Sequence, residues 1–178
     1  HSEYNLYEIN KKINNFAINQ GKKIKIRREL VSITNHEKIN KIFEQTYPDI
    51  VFHAAAYKHV HLVEENICEA VRNNVIGTLN IINSSIKLKI KRFVFVSTDK
   101  AVKPTNVMGA TKRLAELLIQ AHSNNLLNHE TNFCIVRFGN VINSSGSVIP
   151  LFREQIIAGG PVTVTHKDVT RYFMSIPE

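Results

Sequence analysis

The chain has 178 residues, 43% of them hydrophobic, and its 23 lysines and arginines against 15 aspartates and glutamates leave a net charge of +8. A chain of this size can bury roughly two-thirds of its unfolded surface, which fits one globular domain or slightly more and excludes wholesale disorder or dependence on a disulfide or metal. No apolar run approaches the length of a membrane span and no charged-then-apolar leader is visible, so neither a span nor a signal peptide is expected in this sequence.

From Asn5 to Gln20, Leu6, Ile9, Ile13 and Phe16 recur at helical spacing and Gly21 follows as a stop, which predicts an amphipathic helix. Lys23 to Arg28 alternates basic and apolar residues and predicts a short strand with a solvated charged side. Thr34 with Glu37 three residues on forms a capping box for a helix bearing Ile39, Ile42 and Phe43, which Pro48 ends. Asp49 to His53 reads as a strand entering the small-residue turn Ala54-Ala55-Ala56, with His53 a satisfied structural histidine. A single long helix is predicted from Ile67 to Ile90, carrying Val71, Val75, Leu79, Ile82 and Ile86 along one side. Arg92 to Val96 is a nearly unbroken apolar strand, the type buried on both faces of a parallel sheet, and it delivers Ser97-Thr98-Asp99-Lys100 at its carboxyl end. After Pro104 a helix runs through Leu118 and Ile119, and a second buried strand covers Phe133 to Phe138 before Gly139-Asn140. The remainder reads as a loop at Asn143 to Gly146, a helix around Pro150 to Ile157, a Gly159-Gly160-Pro161 turn and a strand from Val162 to Thr165.

Strands separated by helices of this length specify an α/β fold, a Rossmann-like doubly wound parallel sheet, because parallel neighbours need long crossover connections. Ligands of such sheets bind outside the carboxyl ends of the strands, so Ala54 to His59, Ser97 to Lys100 and Gly139-Asn140 outline the expected site. The seven glycines contain no phosphate-loop spacing. The first strand and its glycine-rich turn are therefore expected to lie outside this sequence, and the chain by itself is expected to bind NAD(P) weakly and to be inactive. Residues 1–142 read as a partial dinucleotide-binding domain and 143–178 as the start of a smaller substrate-binding portion. Cys68 and Cys134, with no C-x-x-C or Cys/His spacing, read as buried reduced thiols in a reducing compartment, with no metal site. The basic run Lys22 to Arg28 has no aromatic interleaving and no nucleic-acid signature, so a solvated face is favoured over nucleic acid.

Six segments then carry a resemblance: Phe52 to Val60 (FHAAAYKHV), Asn73 to Thr78 (NNVIGT), Ser97 to Val102 (STDKAV), Asn106 to Arg113 (NVMGATKR), Arg137 to Val141 (RFGNV) and Thr170 to Met174 (TRYFM). Over nearly the whole chain, in order and spacing, they resemble the polysaccharide-biosynthesis UDP-N-acetylglucosamine 4,6-dehydratases of the extended short-chain dehydrogenase/reductase superfamily. The closer likeness is to the long, membrane-anchored branch, which carries Met in place of the catalytic Tyr. The resemblance implies loss of water from a UDP-N-acetylhexosamine with bound NADP or NAD, hydride leaving C4 and returning to C6 without net redox. It further implies a homo-oligomer serving surface-glycan assembly from the cytoplasmic side of the bacterial inner membrane, and no nucleic-acid partner. A C4 or C5 epimerase of the same superfamily and a non-catalytic binding module are the alternatives.

A neighbouring carboxyl and amine at a strand end can serve an elimination, one as acid and one as base. The resemblance gives those roles to Asp99 and Lys100 respectively. Lys112 follows Met108 by four residues on one helical face, the superfamily's Tyr-x-x-x-Lys spacing, with Lys as the nicotinamide-ribose contact. A thioether cannot take the C4 hydroxyl proton, which leaves Thr98, Asp99 or a water as candidate bases. Tyr7 and Lys11 repeat the spacing by chance, without a Ser-bearing strand before them. Ala54, Ala55 and Ala56 would let backbone approach the cofactor, and Asn74 matches the superfamily's helix Asn. Lys58 and His59 would face the sugar or its phosphates, Asn140 a substrate amide, and Arg171 the diphosphate, for which a guanidinium fork is suited.

Overall fold

A computed structural model describes residues 2–124, 130–142, 148–164, 168 and 170–177. Three parallel strands form its centre in the order β1 (Ile50–His53), β2 (Arg92–Val96), β3 (Asn132–Val136), with Val51 opposite Phe93 and Phe93 opposite Phe133. Each step between neighbours is a crossover through helix: α3 (Val60–Glu65), α4 (Ile67–Val71) and α5 (Gly77–Lys87) join β1 to β2, and α6 (Val107–Ser123) joins β2 to β3. The α/β parallel architecture expected from the alternation of strand and helix is present.

Alternate side chains of a strand point to opposite faces, and here the two faces differ. His53, Phe93 and Phe95 are buried beneath Ile81, Ile82, Ala115 and Ile119 of α5 and α6 and Ile39 and Phe43 of α2 (His36–Thr46). On the other face Phe52 is 73% exposed and Val136 40%, while Val94 and Val96 are half-buried. The expectation that β2 is buried on both faces is thus met on one of them among the described residues. Cys134 lies on the open face and Cys68 on the outer side of α4; both are free and exposed, not buried as the sequence suggested.

His53 ends β1 with its Nε2 2.8 Å from Thr78 Oγ1. The Thr78 hydroxyl spends its one proton on the Asn74 carbonyl, so His53 must donate, which fixes the Nε2–H tautomer. Burial, then the nearby charge of Lys112, pushes its pKa down to about 3, so the imidazole is neutral.

Several boundaries depart from the sequence reading for local reasons. The first helix, α1 (Glu3–Asn19), starts two residues early because Ser2 Oγ accepts the Asn5 amide, and it ends in a Schellman motif with Gly21 at φ +61° and the Lys22 amide donating to Ala17 O. Its apolar residues Ile9 and Phe16 are 54% and 61% exposed, so most of its amphipathic stripe lies open, while Ala17 is buried. Lys23 to Arg28 forms no strand and belongs to neither ladder among the described residues. Asn35, not Thr34, caps α2, with Oδ1 accepting the Lys38 amide at 3.0 Å, while Thr34 pairs with Ser32. The single helix expected from Ile67 to Ile90 is broken by a π turn, Arg72–Ile76, and stops at Lys87 with Lys89 at φ 52°. The π turn makes the consecutive residues Asn73, Asn74 and Val75 all buried. The helix expected at Pro150 begins two residues earlier, as α7 (Val148–Ile157).

A second, two-stranded parallel ladder was not expected. β4 (Asn140–Val141) pairs with β5 (Phe173–Met174), and the Asn140 amide donates to Tyr172 O at 3.0 Å. Residues 162–164 form no strand, and residue 165 and the loop at 143–147 lie outside the described residues.

Candidate functional site

The carboxyl ends of β1, β2 and β3 open onto a cleft of about 380 Å³. Of the residues singled out in the sequence, Ala54, Ala56, Lys58 and His59 line it from the β1–α3 loop, Thr98 and Lys100 from the end of β2, Met108 and Lys112 from α6, and Asn140 from β4. A second cleft of about 700 Å³ shares the Ala54–His59 loop and reaches Asn5 of α1 and Ala70 of α4. Among the described residues no group of three His, Cys, Asp or Glu side chains could hold a metal ion.

The β2–β3 ladder continues past the strands, with the Ser97 amide on Val136 O and the Asp99 amide on Phe138 O. That continuation brings the turn Asp99–Ala101 beside Gly139-Asn140, and Thr98 caps the turn through its Oγ1. Lys100 Nζ lies 3.0 Å from Asp99 Oδ1 and 3.0 Å from Asn140 Oδ1. Partial burial works to raise the Asp99 carboxyl, but hydrogen bonds from Lys100 and Thr98 outweigh it and hold it below the usual carboxylate range. At rest, therefore, Asp99 is a carboxylate and not an acid.

Helix α6 is held from its first turn: Asn106 Oδ1 accepts the Gly109 amide at 2.8 Å and the Glu64 carboxylate accepts the Val107 amide at 2.7 Å. Met108 is buried against Val63 and Ala70, with its thioether side in the cleft. One turn on, Lys112 is 6% exposed, donates to Val96 O at 2.7 Å and sits 3.9 Å above the Phe95 ring. Burial pushes its pKa down to about 8, against the opposing pull of Glu116. Gly109 is the point where α6 touches the Asp99–Ala101 turn, since a Cβ there would stand 2.3 Å from Lys100 O. Gly109→Ala gains helix propensity yet must push the Lys100 backbone away. It is expected to cost about 1–3 kcal/mol in stability and about 10²-fold in turnover, read by thermal melting and steady-state rates.

The remaining named residues do not enter the cleft. Asn74 lies beneath it with its amide fully used: Oδ1 accepts from the Tyr57 amide (2.7 Å) and Asn73, and Nδ2 donates to Tyr57 O and Thr111 Oγ1. It ties the β1–α3 loop to α6 and supports the site from below. Asp99 and Ala55 do not line the cleft either, Ala55 being an exposed residue of the loop itself, and Arg171 is exposed with Nη1 on the Thr170 carbonyl, one residue before the Tyr172 carbonyl that accepts from Asn140.

Sequence reasoning passed over a buried ionic knot. Glu116, with no exposed side-chain surface, accepts from Ser97 Oγ (2.6 Å), from Arg137 Nε (2.8 Å) and Nη2 (2.5 Å), and from Arg113 (3.0 Å). It thereby joins the ends of β2 and β3 just before the residues each sends into the cleft. Burial alone would raise this carboxyl; hydrogen bonds from Arg137, Ser97 and Arg113 prevail and bring it down to about 2. The available signal was a carboxylate placed four residues after Lys112, between the core residues Ala115 and Ile119.

All 178 residues match the family model described as "Polysaccharide biosynthesis protein". The whole chain is 48% identical to the capsular polysaccharide biosynthesis protein CapD of Staphylococcus aureus and spans 29% of its length. Over 152 residues, 85% of the chain and 44% of the relative, it is 41% identical to a UDP-glucose 4-epimerase of Rickettsia canadensis. Among solved structures, Pen of Bacillus thuringiensis superposes with a TM-score of 0.87 at 40% identity, over 99% of this chain and 54% of that one. The dTDP-glucose 4,6-dehydratase DesIV of Streptomyces venezuelae, solved with NAD, shares the fold at 20% identity and a TM-score of 0.73, over 82% and 49% of the two chains. A Rossmann-like sheet with Lys112 and Lys100 on one cleft, Lys100 paired with Asp99, and a family match from end to end, together mean that this chain belongs to the polysaccharide biosynthesis protein family.

Proposed function

We propose that the full-length protein is a nucleotide-sugar 4,6-dehydratase that converts UDP-N-acetylglucosamine to a UDP-4-keto-6-deoxy-N-acetylhexosamine for surface-polysaccharide assembly. The observation that carries this reading is that Lys100, ion-paired with Asp99, lines the same cleft as Lys112. Exchanging the configuration at C4 needs only oxidation and reduction at that carbon, whereas removing a C5 proton and a C6 hydroxyl needs a base and an acid side by side.

The cleft fits a nicotinamide dinucleotide in two respects. Ala54 and Ala56 present nothing beyond Cβ along its edge, and Lys112 keeps a buried amine at its floor, suited to a ribose hydroxyl. The dinucleotide, NADP or NAD, supplies a reversible hydride acceptor when bound. Lys100 then takes the C5 proton and Asp99 gives one to the departing C6 hydroxyl. Those roles need a neutral amine and a neutral acid, the tautomer reached from the resting ion pair by moving one proton across its 3.0 Å hydrogen bond. Filling the cleft excludes water and favours that neutral pair, because isolated charges are costly in a dry site. Met108 offers no proton acceptor and a neutral hydroxyl is no base, so the C4 hydroxyl proton leaves to a water, with Thr98, which donates to Asp99 at 2.9 Å, suited to accept a hydrogen bond from that hydroxyl. Lys58 and His59 supply positive and hydrogen-bonding groups for the nucleotide-sugar phosphates.

The second reading, a C4 epimerase, draws on the likeness to the Rickettsia epimerase. Incubation of the full-length protein with UDP-N-acetylglucosamine in deuterated water separates the two. A 4-keto-6-deoxy product carrying deuterium at C5 is expected; a product that keeps its C6 hydroxyl would overturn the dehydratase reading. By the resemblance to the membrane-anchored branch, the full-length protein is a homo-oligomer at the cytoplasmic face of the membrane; among the described residues no helix is long and apolar enough to cross one.

A further inference from the structure

We propose that Asn140 is a positioning residue for Lys100: its side-chain carbonyl fixes the direction in which the Lys100 amine presents its free position to the cleft. The proposal rests on the dehydratase reading for its consequence in turnover, though not for its geometry. A lysine amine has four tetrahedral positions. On Lys100 one is the bond to Cε, and two are taken by the acceptors Asp99 Oδ1 and Asn140 Oδ1, each at 3.0 Å. The fourth carries a third proton in the ammonium and the lone pair in the neutral amine. With two acceptors fixed, that fourth position can no longer rotate, and Lys100 lines the cleft.

The two acceptors are not equivalent. Asp99 sits on the same turn as Lys100 and exchanges a proton with it, while Asn140 comes from β4 and cannot titrate. Asn140 is itself pinned, through its backbone amide on Tyr172 O and the pairing of β4 with β5. The other charged or titratable groups on this cleft are Tyr57, Lys58 and His59 from the β1–α3 loop and Lys112 from α6, a set that offers no second carboxylate. A neutral amide therefore orients the amine without adding a charge that would keep it protonated. The sequence reading gave Asn140 a substrate contact; in the structure its side-chain oxygen meets Lys100.

Two variants of the full-length protein test this. Asn140→Leu keeps the volume and removes the acceptor; kcat should fall about 10–100-fold with KM little changed. Asn140→Asp adds an anion, and the acid limb of the pH–rate profile should move up by about one unit, a tenfold loss on that limb. A readout independent of turnover is competitive acylation of Lys100 against pH, located by peptide mass: in Asn140→Asp its midpoint should rise by about the same amount. An unmoved midpoint would overturn the proposal whatever reaction the protein catalyses, as would a rise in KM with kcat and the profile unchanged, which marks a substrate contact. Failure of the wild type to label C5 with deuterium would instead count against the dehydratase reading, with the acylation midpoint still deciding the role of Asn140.

Discussion

Lys100→Ala should lower dehydratase turnover by about 10²–10⁴-fold, the range over which a positioned base contributes, while leaving the fold intact. The Lys100 side chain is one-fifth exposed, its amine is held by Asp99 and Asn140, and it belongs to neither apolar core cluster, so its removal empties no core. Asp99 keeps the Thr98 hydroxyl as a donor. The effect should divide by step. Oxidation at C4 does not use Lys100, so reduced nicotinamide should accumulate on mixing with substrate, whereas deuterium uptake at C5 should stop. Wild-type turnover in the variant would exclude Lys100 as the base. Loss of C4 oxidation as well would assign it to binding rather than proton transfer.

Glu116→Ala should destabilise the protein by about 3–5 kcal/mol, the cost of breaking a buried ion pair by removing one partner. It strands a buried Ser97 and two guanidinium groups that are only partly solvated. Glu116→Gln keeps the shape and should lose about 1.5–3 kcal/mol, because hydrogen bonds to a charged group are the stronger ones. The carboxyl is held near 2 in the folded state against an ordinary value of 4.5, so its contribution is present above pH 4.5 and disappears as pH falls toward 2. Urea unfolding of the full-length protein should show wild type and Glu116→Gln converging across that window. Parallel curves would mean that the charge of Glu116 carries no stability.

Much of this was readable beforehand where periodicity and chemistry agreed. The unbroken run Arg92–Val96 could only be an inner parallel strand, and a strand of that kind sends its next residues to the ligand edge, so Thr98 and Lys100 were placed on the cleft before any coordinate. What escaped depended on partners distant in sequence. The β4–β5 ladder joins two-residue segments more than thirty positions apart, too short for alternation to register. Lys23 to Arg28 shows a strand's pattern and has no ladder, because pattern reports a preference and pairing needs a neighbour. Asn140 was found for its place in a motif, yet the group its oxygen meets, forty residues earlier, is a tertiary fact.

The π turn at Arg72–Ile76 divides the labour of one continuous rod. An extra residue in a single turn rotates everything downstream by about 100° relative to a regular helix. The turn itself can thus aim the Asn74 amide at the ligand loop while the stretch after it aims Ile81 and Ile82 at the phenylalanines of β2. Excising one residue there to perfect the spiral would satisfy the backbone and misdirect one of the two halves, which makes this irregularity the phase element that lets core and catalytic loop share a scaffold.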